Sequence, residues 1–382
     1  MESLARRISR EGPLPFSLFM NEALYGADGF YTGGGGAGRR RDFLTSPEVG
    51  ALFGMVLARL LDDWWVDLGR PDPYMVAEVG AGPGSLARSI IDARPFCSAA
   101  LRYLLVDRSG PMRALHRSIR LPLADSSTVL GEIARTEDNG FDGGDVAGTA
   151  SPAQGPLCAS LEALPGIELD VVLANELLDN IAVDLYERGE TGWREIRVGI
   201  ERPPREAELC EVVIDAEPSV SSKLDALLPS ADVGTRISYQ PERVAWLREA
   251  LATTPRGRVL CIDYARSTSD MAALPWQQWL RTYRMHSRGG HPLLAPGETD
   301  ITVDVAVDQL AAGCREPTFN RSQAEFLRAH GIDAIAAEQR ALWEAGASRG
   351  DLASLTARSR AQELEALCDV SGLGGFRVLE WW

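Results

Sequence analysis

The sequence predicts a doubly wound, Rossmann-like α/β fold with an N-terminal helical lobe and a β-rich insertion. From about residue 74, apolar strand patterns alternate with amphipathic helix patterns, which is typical of a mainly parallel sheet. Before that point a long pattern with helical period dominates, and in the middle of the chain short alternating segments interrupt the strand–helix order. The 382 residues are 45% hydrophobic and 24% charged, which suits a globular protein with a sizeable core.

The N-terminal lobe is predicted over residues 1–70. Thr45 or Ser46 can cap a helix, and Pro47 and Glu48 suit its first turn. Apolar residues then recur at i, i+3, i+4 and i+7, namely Val49, Leu52, Phe53, Val56, Leu57, Leu60, Leu61 and Trp64. This spacing predicts one amphipathic helix.

The core is predicted over residues 71–382. Its strand patterns are Tyr74–Val79, Arg102–Asp107, Leu169–Ala174 and Arg258–Tyr264, and helix patterns follow the first two at Ser85–Ala93 and Pro111–Ile119. Alternating segments at about 181–240 predict an inserted substrate-side subdomain, and 265–320 is a loop-rich insertion. Residues 137–156 are rich in Gly, Asp, Ser and Pro and are predicted to form a loop.

Composition argues against several classes of protein. The net charge of −15 disfavours a broad nucleic-acid interface. The first residues lack the apolar region of a signal peptide, and no segment has the roughly 18 apolar residues of a membrane span. Six scattered cysteines and four histidines show no metal-ligand spacing. We therefore expect a cytoplasmic protein without membrane insertion or a metal site.

A glycine-rich turn follows the first predicted strand. It has the pattern E-x-G-x-G-x-G, formed by Glu78, Gly80, Gly82 and Gly84. The dinucleotide fingerprint needs a glycine where Ser85 stands, and no lysine follows as in a P-loop. An acid at a strand end suits an ammonium group or a ribose hydroxyl better than a pyrophosphate. The turn therefore favours S-adenosylmethionine, while a dinucleotide, or a plain strand–helix turn without a nucleotide, stays possible.

A second acid supports this interpretation. Asp107 ends the next predicted strand, in "YLLVDRS". In a doubly wound sheet, this position places a carboxylate beside the ribose of a ligand that lies across the strand ends.

A further polar group, Asn175, Glu176 and Asp179, follows the strand in "VVLANELLDN". If Glu176 and Asp179 share a helical turn, their i and i+3 side chains lie on one face. Paired carboxylates can hold a guanidinium bidentately and orient one nitrogen. The alternative is a helix N-terminus, where Asn caps and acids suit the dipole.

Together these motifs resemble the MidA family of S-adenosylmethionine-dependent methyltransferases, whose mitochondrial members assist respiratory complex I assembly by methylating a protein arginine. The segments that carry the resemblance are "MNEALYGADGFYT", "RDFLTSPEVGALFG", "AEVGAGPGSLA", "LANELLDNIAVD", "VLCIDYA", "RTYRMH", "PGETDIT", "QAEFLRAHGI" and "GLGGFRVLEW". The resemblance runs along nearly the whole chain, and it implies a class I methyltransferase sheet and an arginine-bearing protein as acceptor.

The resemblance also implies site residues. The cofactor-binding set is Glu78, Gly80, Gly82, Gly84, Asp107 and Asn175, with Thr45, Ser46, Pro47 and Glu48 closing over the methyl donor. Glu176 and Asp179 are expected to hold the acceptor. The expected substrate-side residues are Tyr25, Tyr31, Tyr264, Arg281, Tyr283, His286, Asp300 and Thr302.

The sequence departs from the family pattern at two positions. Arg41 stands where the family usually has glycine, and Asp304 where it usually has histidine. Two other functions remain open at this point: methylation of a small molecule, and a non-catalytic scaffold that binds S-adenosylmethionine. The sequence makes no prediction of oligomeric state.

Overall fold

The computed structural model describes residues 2–33, 35, 45–131, 154–201, 208–285, 287–346 and 351–382. Arg41, His286 and most of the predicted loop 137–156 lie outside these residues. Within the described part, no helix combines the length and the apolar character that crossing a bilayer requires.

The helices run in chain order as α1 (Glu2–Glu11), α2 (Phe16–Tyr25), α3 (Ser46–Val49), α4 (Ala51–Asp67), α5 (Ser85–Asp92), α6 (Gly110–His116), α7 (Ser126–Leu130), α8 (Pro218–Leu227), α9 (Pro241–Thr253), α10 (Thr268–Ala272), α11 (Val307–Gly313), α12 (Gln323–Ala329), α13 (Ile332–Gly346) and α14 (Leu352–Cys368). Short 3-10 helices lie at Phe96–Ala99, Leu178–Asn180, Trp276–Gln278 and Leu373–Gly375.

The strands are β1 (Leu14–Pro15), β2 (Tyr74–Val79), β3 (Leu101–Val106), β4 (Leu157–Leu161), β5 (Val171–Asn175), β6 (Asp184–Arg188), β7 (Trp193–Glu201), β8 (Glu208–Asp215), β9 (Arg236–Tyr239), β10 (Arg258–Asp263), β11 (Ala265–Arg266), β12 (Leu280–Arg284), β13 (Ser287–Arg288), β14 (Asp300–Val303), β15 (Val305–Ala306), β16 (Phe319–Ser322) and β17 (Arg377–Trp381).

The chain divides into two compact units. The first unit contains Met1–Phe43, Glu176–Glu249 and Asp263–Pro317, and the second contains Leu44–Asn175, Ala250–Ile262 and Thr318–Trp382. Neither unit coincides with the predicted lobe 1–70. The difference arises because α4 packs against α5, α13 and α14, which all belong to the second unit.

The second unit is built on a seven-stranded sheet in the order β16-β17-β10-β5-β2-β3-β4. Strands β10, β5, β2, β3 and β4 pair in parallel, and β16 pairs antiparallel with β17. The chain leaves β2 towards β3 and β4 and later returns on the other side of β2 to form β5. This reversal of strand order makes the carboxyl ends of β2 and β5 the switch point where such sheets bind ligands.

The first unit contains an antiparallel sheet, with the order β1-β7-β6-β9 and β8 paired to β7. Its apolar core joins α1 and α2 to this sheet and to β14 through buried side chains, among them Phe19, Met20, Ile196 and Ile301. Two smaller sheets, β11-β15 and β13-β12-β14, complete the unit. The predicted α/β class with helices at the N-terminus and a β-rich insertion is thus confirmed.

One helix differs from its prediction. Gly50 separates α3 from α4, although the apolar spacing predicted a single helix. The Glu363 carboxylate accepts a hydrogen bond from the Leu52 N–H over 2.8 Å. A Cβ at position 50 would lie 2.0 Å from the Glu363 carboxyl carbon. The carboxylate of Glu363, which is far away in the sequence, therefore occupies the start of α4. The local apolar periodicity cannot predict this contact or the helix break that goes with it.

Candidate active site

The glycine turn that joins β2 to α5 uses left-handed backbone at Gly80, Gly82 and Gly84, whose φ angles are 73°, 53° and 84°. Glycine adopts these angles without steric cost. A Cβ at Gly84 would approach the Ile119 side chain to 2.6 Å, so an alanine at this position would require that side chain to move. A Cβ at Gly82 would meet no atom within 4 Å. The turn is therefore packed on the side of Gly84 and open at Gly82, where a ligand can approach the backbone.

Asp107 directly follows β3 and holds this turn. Its Oδ2 accepts a hydrogen bond from the Gly82 N–H, and its Oδ1 accepts one from the Ser109 N–H, both over 2.8 Å. Burial raises the pKa of Asp107, and these two backbone donors act in the opposite direction. An ionised carboxylate can accept further bonds, because each oxygen has a second lone pair. A ribose contact of Asp107 stays a prediction.

Glu78 lies inside the second unit with 4% of its surface exposed. The Tyr103 hydroxyl donates a hydrogen bond to the Glu78 Oε2 over 2.8 Å. The Ala87 backbone N–H, in the first turn of α5, donates a second hydrogen bond to the same carboxyl group. Burial is the main reason that the pKa of Glu78 rises to about 8. Glu78 thus ties β2 to β3 and α5, and its predicted contact with the cofactor stays a prediction.

The segment Thr45–Glu48 contains the N-cap and the first three residues of α3 and lies in the second unit. The buried Ser46 hydroxyl donates to the Gln323 Oε1 over 2.9 Å. Glu48 accepts a hydrogen bond from the Ser85 hydroxyl, which belongs to the residue that follows Gly84. The structure therefore links this segment directly to the glycine turn. Asn175 is the last residue of β5, at the carboxyl end of that strand.

The predicted helical pairing of Glu176 with Asp179 is not formed. Glu176 has a φ of 52°, in the left-handed region, and the 3-10 helix begins only at Leu178. Asp179 is 3% exposed, and among the described residues its Oδ1 has no hydrogen-bond partner. Burial raises the pKa of Asp179 to about 6, although Arg243 and Arg281 oppose that rise. A buried carboxylate oxygen is thus left available for a donor.

Asp263, the last residue of β10, fixes the backbone around Asp179. Its Oδ2 accepts hydrogen bonds from the N–H groups of Leu178 and Asp179 over 2.9 and 3.1 Å. Its Oδ1 accepts one from the Tyr264 N–H over 2.8 Å. Burial raises the pKa of Asp263 well above its usual range, and the neighbouring Asp179 adds to the rise.

Arg243 on α9 lies in the same cluster and is fully buried. Its guanidinium donates to the backbone oxygens of Asp179, Ile181 and Asp304 over 3.1, 3.1 and 2.9 Å. Since all three acceptors are backbone carbonyls, the charge of Arg243 stabilises the nearby carboxylates without occupying their oxygens.

Strands β12 and β14 bring four of the predicted substrate-side residues together. Arg281 lies opposite Thr302, and Tyr283 lies opposite Asp300. Directly opposed residues of an antiparallel pair share a face, and the side chains at i and i+2 share it too. The Arg281 guanidinium also lies 4.6 Å from the centre of the Tyr264 ring. Arg281, Tyr283, Asp300, Thr302 and Tyr264 therefore form one cluster.

Tyr25 and Tyr31 stack on each other, with ring centres 5.2 Å apart. The Tyr31 hydroxyl lies 2.9 Å from the Asn180 Oδ1 and 3.2 Å from the Asp300 Oδ1. Asn180 donates through its Nδ2 to the same Asp300 oxygen over 3.0 Å. Burial raises the pKa of Asp300 to about 8, so this carboxyl group holds a proton near neutral pH.

Arg243 lies beside Asp179 and His116 contacts the glycine turn, and no sequence motif predicted a role for either residue. Arg243 is spaced four residues from the buried Leu247 on α9, so a charged residue on an apolar helix face was a usable signal. His116 ends α6, and its contacts with distant residues leave no local pattern.

Comparison with known proteins identifies the family. Residues 56–322 match the family model Methyltransf_28, which describes S-adenosyl-L-methionine-dependent methyltransferases. The mitochondrial protein arginine methyltransferase NDUFAF7 of Danio rerio is 25% identical over 342 residues, which cover 87% of this chain and 76% of that protein. Its homologue in Drosophila melanogaster is 26% identical, over 80% of this chain and 67% of that protein.

A solved structure agrees with these matches. A COG1565 superfamily protein from Burkholderia thailandensis, crystallised with S-adenosyl-homocysteine, superposes with a TM-score of 0.77 at 26% identity. The match covers 99% of this chain and 90% of that one. The open glycine turn and the carboxylate that holds it fit such a cofactor. The chain therefore belongs to the S-adenosyl-L-methionine-dependent methyltransferases of the MidA family, and S-adenosylmethionine is its methyl donor.

Proposed function

We propose that this methyltransferase transfers a methyl group to a guanidinium nitrogen of an arginine in a protein. The observation that carries the proposal is the Asp179 carboxylate, which is buried and has one oxygen without a hydrogen-bond partner among the described residues. A buried carboxylate oxygen needs a donor, and a guanidinium offers several in a planar fork.

The names of the relatives support an arginine-bearing protein as the acceptor. Both relatives compared above are named protein arginine methyltransferases, and their identity to this chain is 25% and 26%. The cytoplasmic location expected from the sequence remains a prediction, because these relatives are named mitochondrial.

In the proposed reaction Asp179 binds the acceptor guanidinium and orients one of its nitrogens. Bound S-adenosylmethionine would supply a methyl group on a positively charged sulfur, with Gly82 and Asp107 among the residues that hold it. The donor would supply its methyl group to this nitrogen as the carbon–sulfur bond breaks, and the methylated nitrogen would release a proton to water. Because that proton can leave after the nitrogen is alkylated, Asp179 would act by positioning the acceptor and not as a strong base.

S-adenosylmethionine with a tritium-labelled methyl group, incubated with a cell lysate as acceptor source, tests the proposal. We expect label in acid-precipitable protein and, after hydrolysis, in methylarginine. Asp179→Asn should abolish the transfer and leave the affinity for S-adenosylhomocysteine unchanged. The matched control is Asp225→Asn, which changes an aspartate 54% exposed in the same unit.

The other outcomes decide between the alternatives. Label confined to the small-molecule fraction would replace the protein acceptor with a small one. Label in another amino acid would refute arginine as the acceptor residue. S-adenosylhomocysteine binding without any transfer would favour the scaffold.

A further inference from the structure

His116, the last residue of α6, contacts the cofactor turn from inside the second unit. The side chain is fully buried. Its Nε2 lies 2.8 Å from the backbone oxygen of Gly82, and its Nδ1 lies 2.8 Å from the Ser160 hydroxyl on β4. The imidazole therefore bridges the glycine turn and the strand β4.

These contacts determine the tautomer. A backbone carbonyl only accepts hydrogen bonds, so Nε2 carries the proton and donates to Gly82. In the neutral ring Nδ1 then accepts a hydrogen bond from the Ser160 hydroxyl. Burial lowers the pKa of His116, which favours the neutral ring at physiological pH.

The charged groups around His116 come from three elements. Asp107, at the end of β3, raises the pKa of the imidazole, while Arg113 on the same helix lowers it. Arg113 itself pairs with Glu162, just after β4, over 3.0 Å. The effects of Asp107 and Arg113 on the pKa of His116 oppose each other, and burial keeps the imidazole neutral, so that it donates as a neutral ring.

The Gly82 residue is thus held at both of its backbone polar groups. Its N–H donates to the Asp107 Oδ2, and its carbonyl accepts from the His116 Nε2, each over 2.8 Å. The left-handed φ of 53° and the open space beside its Cα mark Gly82 as the point of the turn that a ligand can approach. Two side chains from different elements therefore fix the orientation of the peptide groups that flank it.

We propose that His116 is a positioning residue for the binding of S-adenosylmethionine. His116 donates a hydrogen bond to the Gly82 carbonyl and thereby fixes the cofactor-binding turn. The proposal concerns the cofactor alone, so it does not depend on the identity of the acceptor. Neither the glycine motif nor the family resemblance assigned a role to this histidine.

Calorimetric titration of the full-length protein with S-adenosylhomocysteine provides the test. His116→Gln keeps an N–H at the distance of Nε2, and we expect its affinity to stay within about twofold of the wild type. His116→Asn keeps an acceptor near Nδ1 but loses the donor to Gly82. Its affinity should fall by about five- to tenfold, as expected for one lost hydrogen bond. His330→Gln, which changes the residue that follows α12 in the same unit and contacts Arg321, is the control and should bind like the wild type.

Thermal unfolding of each variant separates this role from a purely structural one. If His116 only stabilises the fold, His116→Asn will lower the melting temperature and bind S-adenosylhomocysteine with wild-type affinity, which overturns the proposal. Equal loss of affinity in the Asn and Gln variants would also overturn it, since the Gln side chain retains the donor.

A second measurement needs no folded variant at position 116. In protein labelled with ¹⁵N-histidine, we expect a neutral ring protonated on Nε2 at pH 7.5, with a resonance that shifts when S-adenosylhomocysteine binds. A ring protonated on Nδ1, or a resonance that the ligand leaves unchanged, would contradict the proposal.

Discussion

Asp304 and Arg281 form a buried ion pair in which the aspartate Oδ1 lies 2.6 Å from the arginine Nη2. The other carboxylate oxygen, Oδ2, lies 2.5 Å from the Nε of Arg266. Asp304 stands where the MidA family usually has histidine, and its side chain is fully buried. One carboxylate therefore anchors two arginines, and it holds Arg281 over the Tyr264 ring in the cluster that we assign to the acceptor.

Replacing Asp304 should destabilise the protein strongly. Asp304→Asn removes the negative charge that pairs with the buried Arg281, and breaking a buried ion pair on one side typically costs about 3–5 kcal/mol. Urea unfolding measures the change. The control is Glu298→Gln, which breaks the exposed pair with Arg284 and should cost less than about 1 kcal/mol. Equal effects of the two substitutions would show that the buried pair adds nothing to stability.

Two glycines of the same turn should respond differently to alanine. At Gly84 a Cβ would meet the side chains of Ile119 and Leu105 at 2.6 and 2.9 Å, so Gly84→Ala should destabilise the second unit. At Gly82 the Cβ would enter open space, and left-handed backbone alone costs an alanine about 1–2 kcal/mol.

The two variants therefore separate folding from binding. We expect Gly82→Ala to fold and to lose most of its affinity for S-adenosylhomocysteine, because the Cβ stands where the ligand approaches the backbone. Melting temperature and calorimetric affinity, measured on both variants, check this difference. Wild-type affinity in folded Gly82→Ala protein would show that the ligand does not approach this glycine.

The sequence predicted the features that depend on short-range patterns. Strand β2 was predicted with its observed bounds, Tyr74–Val79, because a buried apolar run ends at a glycine turn. The strand before Asp107 was placed one residue too late. Gly80, Gly82 and Gly84 adopt the left-handed backbone that a sharp strand–helix turn needs.

The features that the sequence did not predict depend on residues far apart in the chain. The break at Gly50 is caused by Glu363, and the role of His116 appears only when Gly82 and Ser160 are close to it. Glu176 and Asp179 have the spacing of a helical turn, but the backbone at Glu176 has a positive φ and is therefore not helical. The spacing of residues within one helix or strand cannot predict such tertiary contacts, because each contact joins two elements that are far apart in the sequence.

Asp107 should control the affinity for the cofactor. In Asp107→Asn, one of the two N–H donors, from Gly82 or Ser109, faces an amide NH₂ group instead of a carboxylate oxygen. Loss of a charge-assisted hydrogen bond of this kind should weaken S-adenosylhomocysteine binding by about ten- to a hundredfold. Calorimetry gives the affinity, and Asp92→Asn, an aspartate 60% exposed on α5, serves as control. An unchanged affinity would mean that the Asp107 carboxylate does not maintain the turn.

Glu78 should make the stability of the ligand-free protein depend on pH. Burial raises its pKa from 4.5 to about 8, so between these values the folded protein holds a proton that the unfolded chain has lost. Stability must then fall as pH rises through this range, by up to about 1.4 kcal/mol per pH unit for this group. Glu78→Gln removes the titration and should flatten the slope. The buried groups Asp179, Asp263 and Asp300, whose pKa values are also raised, keep part of it.

The slope is the informative quantity, because glutamine also changes the contacts with Tyr103 and Ala87 by an amount that does not depend on pH. Urea unfolding of the wild type and of Glu78→Gln at several pH values between 5.5 and 8 yields the two curves, and we expect the variant to gain relative stability steadily as the pH rises. Glu338→Gln, an exposed glutamate of the same unit, should give a curve parallel to that of the wild type. If the Glu78→Gln curve is also parallel, Glu78 is ionised in the folded protein, and the hydrogen bonds from Tyr103 and Ala87 outweigh its burial.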